Sequence, residues 1–314
     1  MKYSESFIKK SSKILLGTAY FGDSIPEEQA FEIMDTFVQY GGNHIDTARF
    51  YANGEAEKVV AKWLKFRKPD NILVSTKGGF PVSQTSEEMR LSEKEIRYDL
   101  ELSLNALETD TIEMYWLHRD DEKRPVEEII DYMNAFVKEG KIKCFGASNW
   151  TTKRIAEANA YAKKDGKMGF SASQIRFSPA VLVEGGDERS LVTMDKETFD
   201  DYKALGLPVA AYASQAKGFF SKMAEKGIDA LSVKSRDRYY CEENVKRLEF
   251  IKELSLKYEV SVAAIVCAAL SSFETPDVFP IIGGSRKEQI ADSMTGGDIT
   301  LTKEELRTLF KYNV

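Results

Sequence analysis

A short apolar run followed by a helical pattern recurs eight times along this chain, and that alternation constrains its fold more than any other feature. The apolar runs fall at 13–19, 44–48, 72–77, 112–118, 144–149, 170–177, 208–214 and 278–283. Short continuous apolar runs suit strands buried on both faces. Between them, Phe31, Met34, Phe37 and Val38 recur at helical spacing after Pro26, which suits a first turn. Ser92 and Glu95 have capping-box spacing ahead of the stripe Ile96, Leu100, Leu104, Leu107. Ile129, Ile130, Met133, Phe136 and Val137 form another stripe, and Gly140 ends it. Two helical stretches, 242–258 and 261–272, share the connection before the last strand, and a final helix follows the Thr302–Glu305 box. Strands alternating with helices imply parallel pairing through right-handed crossovers. Eight such units predict a (β/α)8 TIM barrel, an α/β fold, as one domain over 1–314. An open doubly wound sheet is the alternative, but no strand here leads into GxGxxG. The first dozen residues are left over and are expected to form a short hairpin or plug at the barrel's bottom.

A barrel needs a large core, and 43 % hydrophobic residues supply one. The net charge of −6 offers no general attraction to nucleic acid or to an anionic membrane, so neither is expected as a partner. Cys144, Cys241 and Cys267 are far apart and outside any CxxC, which argues against a disulfide framework or a cysteine-rich metal site. The polar start at 1–13 and the absence of a run of about 20 apolar residues lead to the expectation of a cytoplasmic protein.

Barrels place their chemistry at the carboxyl ends of the strands. The second strand ends on Asp46, with Tyr51 just beyond; the third ends on Lys77 and the fourth on His118. Consecutive barrel strands are neighbours, so these side chains can converge. A tyrosine holds its proton at neutral pH, and a nearby ammonium makes that proton easier to give. Lys77 can supply the ammonium, Asp46 the counter-charge a buried lysine needs, and His118 a hydrogen bond that orients a substrate oxygen. Together they make a general acid. Taken singly, Asp46 reads equally well as a helix cap. His44 points the same way as Asp46 but lies deeper, and reads as structural.

With these residues in place, the sequence resembles the aldo-keto reductase superfamily. The stretches that carry the resemblance are GGNHIDTARFY (41–51), VSTK (74–77), YWLHR (115–119), GASN (146–149), AYASQ (211–215) and IIGGSRKEQI (281–290), in the family's order. The resemblance implies a nicotinamide cofactor, usually NADPH with NADH possible, held in extended form without a Rossmann fold. It assigns the tetrad to Asp46, Tyr51, Lys77 and His118, with Tyr51 as proton donor. It also implies that Ser148, Asn149 and Gln174 bind the carboxamide and that Tyr212 stacks on the nicotinamide ring. Ser214, Gln215 and Gly218 then follow the seventh strand near the pyrophosphate, and Gly283, Ser285, Arg286 and Gln289 lie at the eighth. Arg286 suits an adenosine 2′-phosphate, because a guanidinium bonds phosphate bidentately. The chain departs from the pattern at Ser293, where the family often has an asparagine near adenine. It departs again at Gly283 and Gln289, where some members carry Lys or Arg, so an NADPH preference rests on Arg286.

The expected substrate is a small carbonyl compound, an aldehyde, ketone or sugar. Its walls are expected from Tyr20, Phe21, Phe50, Arg119, Trp150 and Phe219, with Trp150 and Phe219 reading equally as loop packing. The charged run 119–124 reads as a solvated loop, or as a contact for polyhydroxylated substrates. The folds of 178–195 and 215–241 are not legible. Two other classes deserve comparison. A metal-dependent barrel hydrolase is hard to build from two histidines. A cofactor-sensing regulator on the same barrel would not need a tuned acid.

Overall fold

The computed structural model describes residues 10–81, 88–183 and 191–312. Eight strands, β1 (Leu15–Gly17), β2 (His44–Asp46), β3 (Leu73–Gly78), β4 (Ile112–Leu117), β5 (Ile142–Ser148), β6 (Ser173–Arg176), β7 (Val209–Tyr212) and β8 (Val278–Ile282), follow one another around a closed barrel. Every pair is parallel, and β8 closes onto β1 through Leu15↔Ile281 and Leu16↔Ile282. Most strands are shorter than the apolar runs that signalled them, because the ladder stops where the chain bends toward its loops; 170–177 is a strand only over Ser173–Arg176.

The helices are α1 (Glu27–Gln39), α2 (Glu55–Arg67), α3 (Glu93–Ala106), α4 (Val126–Lys138), α5 (Thr152–Lys164), α6 (Lys196–Leu205), α7 (Phe219–Lys226), α8 (Val233–Tyr239), α9 (Glu242–Tyr258), α10 (Val262–Ser271), α11 (Lys287–Met294) and α12 (Lys303–Phe310). Both expected capping boxes close, Ser92 with Glu95 on α3 and Thr302 with Glu305 on α12. Among the described residues no single helix is long and apolar enough to cross a membrane. The all-round apolar α10 is a buried core helix.

Side-chain alternation along the strands makes two cores. Leu15, Met114, Trp116, Cys144, Ala210 and Ile281 fill the barrel interior, while Leu16, Tyr115, Leu117, Phe145, Ala211 and Ile282 pack outward among the helices. Period two therefore sends His44 and Asp46, Ser75 and Lys77, and His118 inward. Met114 and Trp116, register partners of Ser75 and Lys77, pack apolar bulk beside them in the interior.

The two long connections acquire folds that the sequence left open. In 215–241, Phe219, Phe220 and Tyr239 bury together and hold α7 and α8. The described part of 178–195 is tied to α9, with Asn244 bonding Val181 on both sides and Arg247 Nη1 donating to the Pro179 carbonyl at 2.6 Å. The expected N-terminal plug falls mostly on 1–9, outside the described residues. Lys10 and Ser12 do hydrogen-bond Asn43, just before β2, and so tie the entering chain to the barrel's amino-terminal end.

Candidate active site

After Asp46 the chain enters a tight turn in which Ala52, Asn53 and Gly54 all take left-handed backbone. Gly54 has little alternative: a Cβ there would meet Arg49 Nη1 at 1.9 Å. Arg49 N donates to the Lys77 carbonyl at 3.0 Å, tying this turn to β3. The turn brings Tyr51 back over the strand ends. Lys77, 1 % exposed, lies below it, with Nζ 4.9 Å from the Tyr51 ring centre.

Lys77 Nζ donates to Asp46 Oδ2 at 2.5 Å and to the Thr47 carbonyl at 2.7 Å. Burial works to strip its proton, but the Asp46 carboxylate and Tyr51 outweigh that, and its pKa lies above the usual lysine value. The other Asp46 oxygen accepts from Ser75 Oγ at 2.8 Å and Gln174 Nε2 at 3.1 Å. This buried pair thus has the extra hydrogen bonds that a desolvated ion pair needs.

His118 is pushed well below its ordinary pKa, first by burial and then by the cations of Arg119 and Lys77, so its ring is neutral at neutral pH. Its Nδ1 is buried with no hydrogen-bond partner among the described residues. The His118 ring stands edge-on to Tyr51 at 6.0 Å and to Phe80 at 4.7 Å. Phe80 in turn stacks on Phe50 at 3.8 Å, and Arg119 lies 4.9 Å from the Phe80 ring centre. Phe80 was missed in the sequence; an aromatic two residues beyond the strand that carries a rim lysine was the available signal.

His44 is also neutral: burial, countered in part by Asp46, lowers its pKa from 6.5 to about 4. A base depressed in the folded state stabilises the fold fully above its unfolded pKa and loses that contribution as pH falls. Stability is therefore expected to drop by roughly 3 kcal/mol from this group between about pH 6.5 and pH 4. Urea-unfolding free energies across that range check it: His44→Asn should have the shallower acid limb.

The residues expected to hold a nicotinamide dinucleotide surround the same mouth. Asn149 Oδ1 accepts from Tyr212 OH at 2.7 Å, and Asn149 Nδ2 donates to Ser148 Oγ at 3.2 Å. Gln174 donates an amide N–H to Asp46 and so sits beside the tetrad. After β7, Lys217 and Gly218 turn left-handed, while Gln215 Nε2 reaches Ser293 Oγ at 2.9 Å. Ser293, on α11, is thus tied to the loop after β7. A Cβ built on Gly283 finds nothing nearer than 3.9 Å, which leaves an open cradle at the end of β8. Ser285 and Arg286 are exposed beside it. Their backbone N–H groups both bond Gln289 Oε1, so Gln289 shapes the turn at the start of α11. An extended anionic dinucleotide fits this arrangement of amide donors, an open glycine and an exposed guanidinium at a helix start.

Some expected contacts are corrected. Phe21, Trp150 and Phe219 are at most 1 % exposed and belong to the apolar core among the helices, so they do not line the mouth. Trp150 is held from three sides, by Phe170, the Arg119 carbonyl and the Arg154 cation. Ser214 spends its hydroxyl on the Ile281 carbonyl and cross-links β7 to β8. The run 119–124 is not simply solvated: Asp120 pairs with Arg154 at 3.0 Å, with side chains 10 % and 14 % exposed. Tyr20 remains well exposed.

The Aldo/keto reductase family profile matches residues 13–313. The chain belongs to this family. A 30 % identical relative, the uncharacterized oxidoreductase YrpG of Bacillus subtilis, aligns over 95 % of this chain and 91 % of its own length. The putative aryl-alcohol dehydrogenase AAD14 of Saccharomyces cerevisiae is 29 % identical over 95 % of this chain and 82 % of its own. Norsolorinic acid reductase A of Aspergillus parasiticus is 27 % identical, over 95 % and 76 %. Among solved structures, the thermostable aldo-keto reductase Tm1743, crystallised with the inhibitor epalrestat, superposes with a TM-score of 0.71 at 22 % identity, covering 95 % of this chain and 94 % of that one. That likeness concerns the fold. The family membership makes this chain an oxidoreductase.

Proposed function

We propose that this family member reduces aromatic aldehydes or ketones, and in reverse oxidises aryl alcohols, with NADPH as the preferred cofactor. The observation that carries the reading is the buried Lys77–Asp46 pair beneath Tyr51, beside a neutral His118 whose Nδ1 has no partner among the described residues. When bound, the nicotinamide supplies a hydride for the carbonyl carbon. The Tyr51 hydroxyl gives its proton to the carbonyl oxygen as negative charge develops there. The Lys77 cation steadies the phenolate left behind, and Asp46 keeps Lys77 protonated. His118 donates an N–H that orients the oxygen. The Phe50–Phe80 stack offers an aromatic wall, which supports an aryl substrate. The relatives' names, aryl-alcohol dehydrogenase and norsolorinic acid reductase, point the same way. Cytoplasmic residence is part of the proposal and suits three free cysteines.

The test is a panel of aromatic, aliphatic and sugar carbonyls with each cofactor, followed by the absorbance of the reduced nicotinamide. Aromatic aldehydes should have the highest kcat/KM; no turnover of any member with bound cofactor would favour a sensing role instead. Arg286→Ala is expected to weaken NADPH by roughly tenfold or more, from loss of a charge-assisted pair, and NADH much less. Fluorescence titration decides this, and equal weakening of both would show that Arg286 does not read the 2′-phosphate.

A further inference from the structure

His44 was read from the sequence as structural, yet both of its ring nitrogens are engaged in a line of hydrogen bonds that runs the length of the barrel interior. Ser11 Oγ lies 3.0 Å from His44 Nδ1, and His44 Nε2 lies 3.0 Å from Ser75 Oγ. Ser75 Oγ donates to Asp46 Oδ1 at 2.8 Å, and Asp46 Oδ2 accepts from Lys77. Lys77 interacts with Tyr51. We infer that Ser11, His44 and Ser75 form a proton wire that recharges the Tyr51 centre from the amino-terminal end of the barrel. The inference rests on the carbonyl-reducing reading above.

The direction of each bond follows from its neighbour. An ionised Asp46 only accepts, so Ser75 must spend its hydrogen there. Ser75 Oγ therefore accepts from His44 Nε2–H. The buried, neutral ring carries a single hydrogen, so Nδ1 accepts from the Ser11 hydroxyl. The Ser11, His44 and Ser75 donors point toward Asp46, the order needed to bring a proton to its carboxyl; the Lys77 bond points back at Asp46 and reverses once Lys77 has given a proton to Tyr51.

The surroundings fit this role. Ser11 is partly exposed at the lower end. A small cavity of about 10 Å³ there, room for about one water, is lined by Ser11, His44 and Trp116 among others, and Trp116 Nε1 is buried with no partner among the described residues. Leu15, Met114, Trp116 and Ile281 make the interior around this line apolar. Cofactor and substrate would occupy the opposite mouth during turnover.

The protons balance. Each reduction takes one proton from Tyr51, which recovers it from Lys77. The Lys77 amine takes one from Asp46, whose carboxyl received it from Ser75 and turned to present it. Ser75 takes the Nε2 proton of His44, and His44 takes the Ser11 proton at Nδ1. Ser11 draws one from water. Hydroxyl rotations and exchange of the His44 tautomer reset the line, with no redox change in the protein.

The test is stopped-flow reduction of benzaldehyde by NADPH in weak buffer, following nicotinamide absorbance and proton uptake by phenol red together. In the wild-type protein the two signals should coincide. In His44→Asn and in Ser75→Ala, proton uptake should trail nicotinamide oxidation by about tenfold or more, the scale of a lost proton-transfer group. Imidazole in the buffer should shorten the lag in His44→Ala. Uptake that keeps pace in both variants, or signals that slow together without a lag, would overturn the wire and leave a purely structural chain. If a histidine variant does not fold by circular dichroism, Ser75→Ala carries the test. Absence of nicotinamide oxidation in the wild type, for every carbonyl tried, would instead reject the functional reading.

Discussion

Tyr51→Phe is expected to cut carbonyl reduction by about 10²- to 10⁴-fold, the usual contribution of a positioned general acid. The change deletes one oxygen and keeps the ring, so the edge-on contact with His118 and the cation beneath the ring persist. The residues expected to meet the dinucleotide lie on other strand ends, at β5 to β8. NADPH titration should therefore give a nearly unchanged Kd, and the loss should appear in kcat. Turnover near that of the wild type would remove Tyr51 from the mechanism.

The second large effect is on stability. Asp46→Ala leaves the Lys77 ammonium buried at 1 % exposure with the Thr47 carbonyl in place of a counter-ion. Stranding one partner of a buried pair costs about 3–5 kcal/mol. Urea unfolding should show that loss, and activity should fall as well. Lys77→Met is expected to cost less, because Ser75 and Gln174 still donate to the remaining carboxylate. Equal destabilisation by the two changes would mean that those donors do not support Asp46.

The barrel was legible because each strand is a short apolar run and each capping box, such as Ser92–Glu95, is a local signal. The inward direction of Asp46, Lys77 and His118 followed from period two alone. What the sequence does not carry is the partner across the barrel. Gln174 meets Asp46 from 128 positions away, and no local pattern announces that pairing. His44 looked structural because alternation gives its direction but not the serines at either end. For Trp150 and Phe219 both readings were open, and packing is the one that holds. Lying next to a strand end or in a rim loop does not fix exposure, and apolar bulk drew both into the core. The described part of 178–195 and the fold of 215–241 depend on anchors such as Asn244 and Tyr239, which local composition does not show.

In the proposed reaction, hydride reaches a carbonyl carbon in this mouth while Tyr51 supplies the proton. Its most direct test is turnover of an aryl aldehyde with NADPH deuterated at the transferring position of C4, with the product read by NMR. The expected product carries one deuterium on the former carbonyl carbon. An alcohol without label on that carbon, or the same labelled product formed at an undiminished rate by Tyr51→Phe, would contradict it.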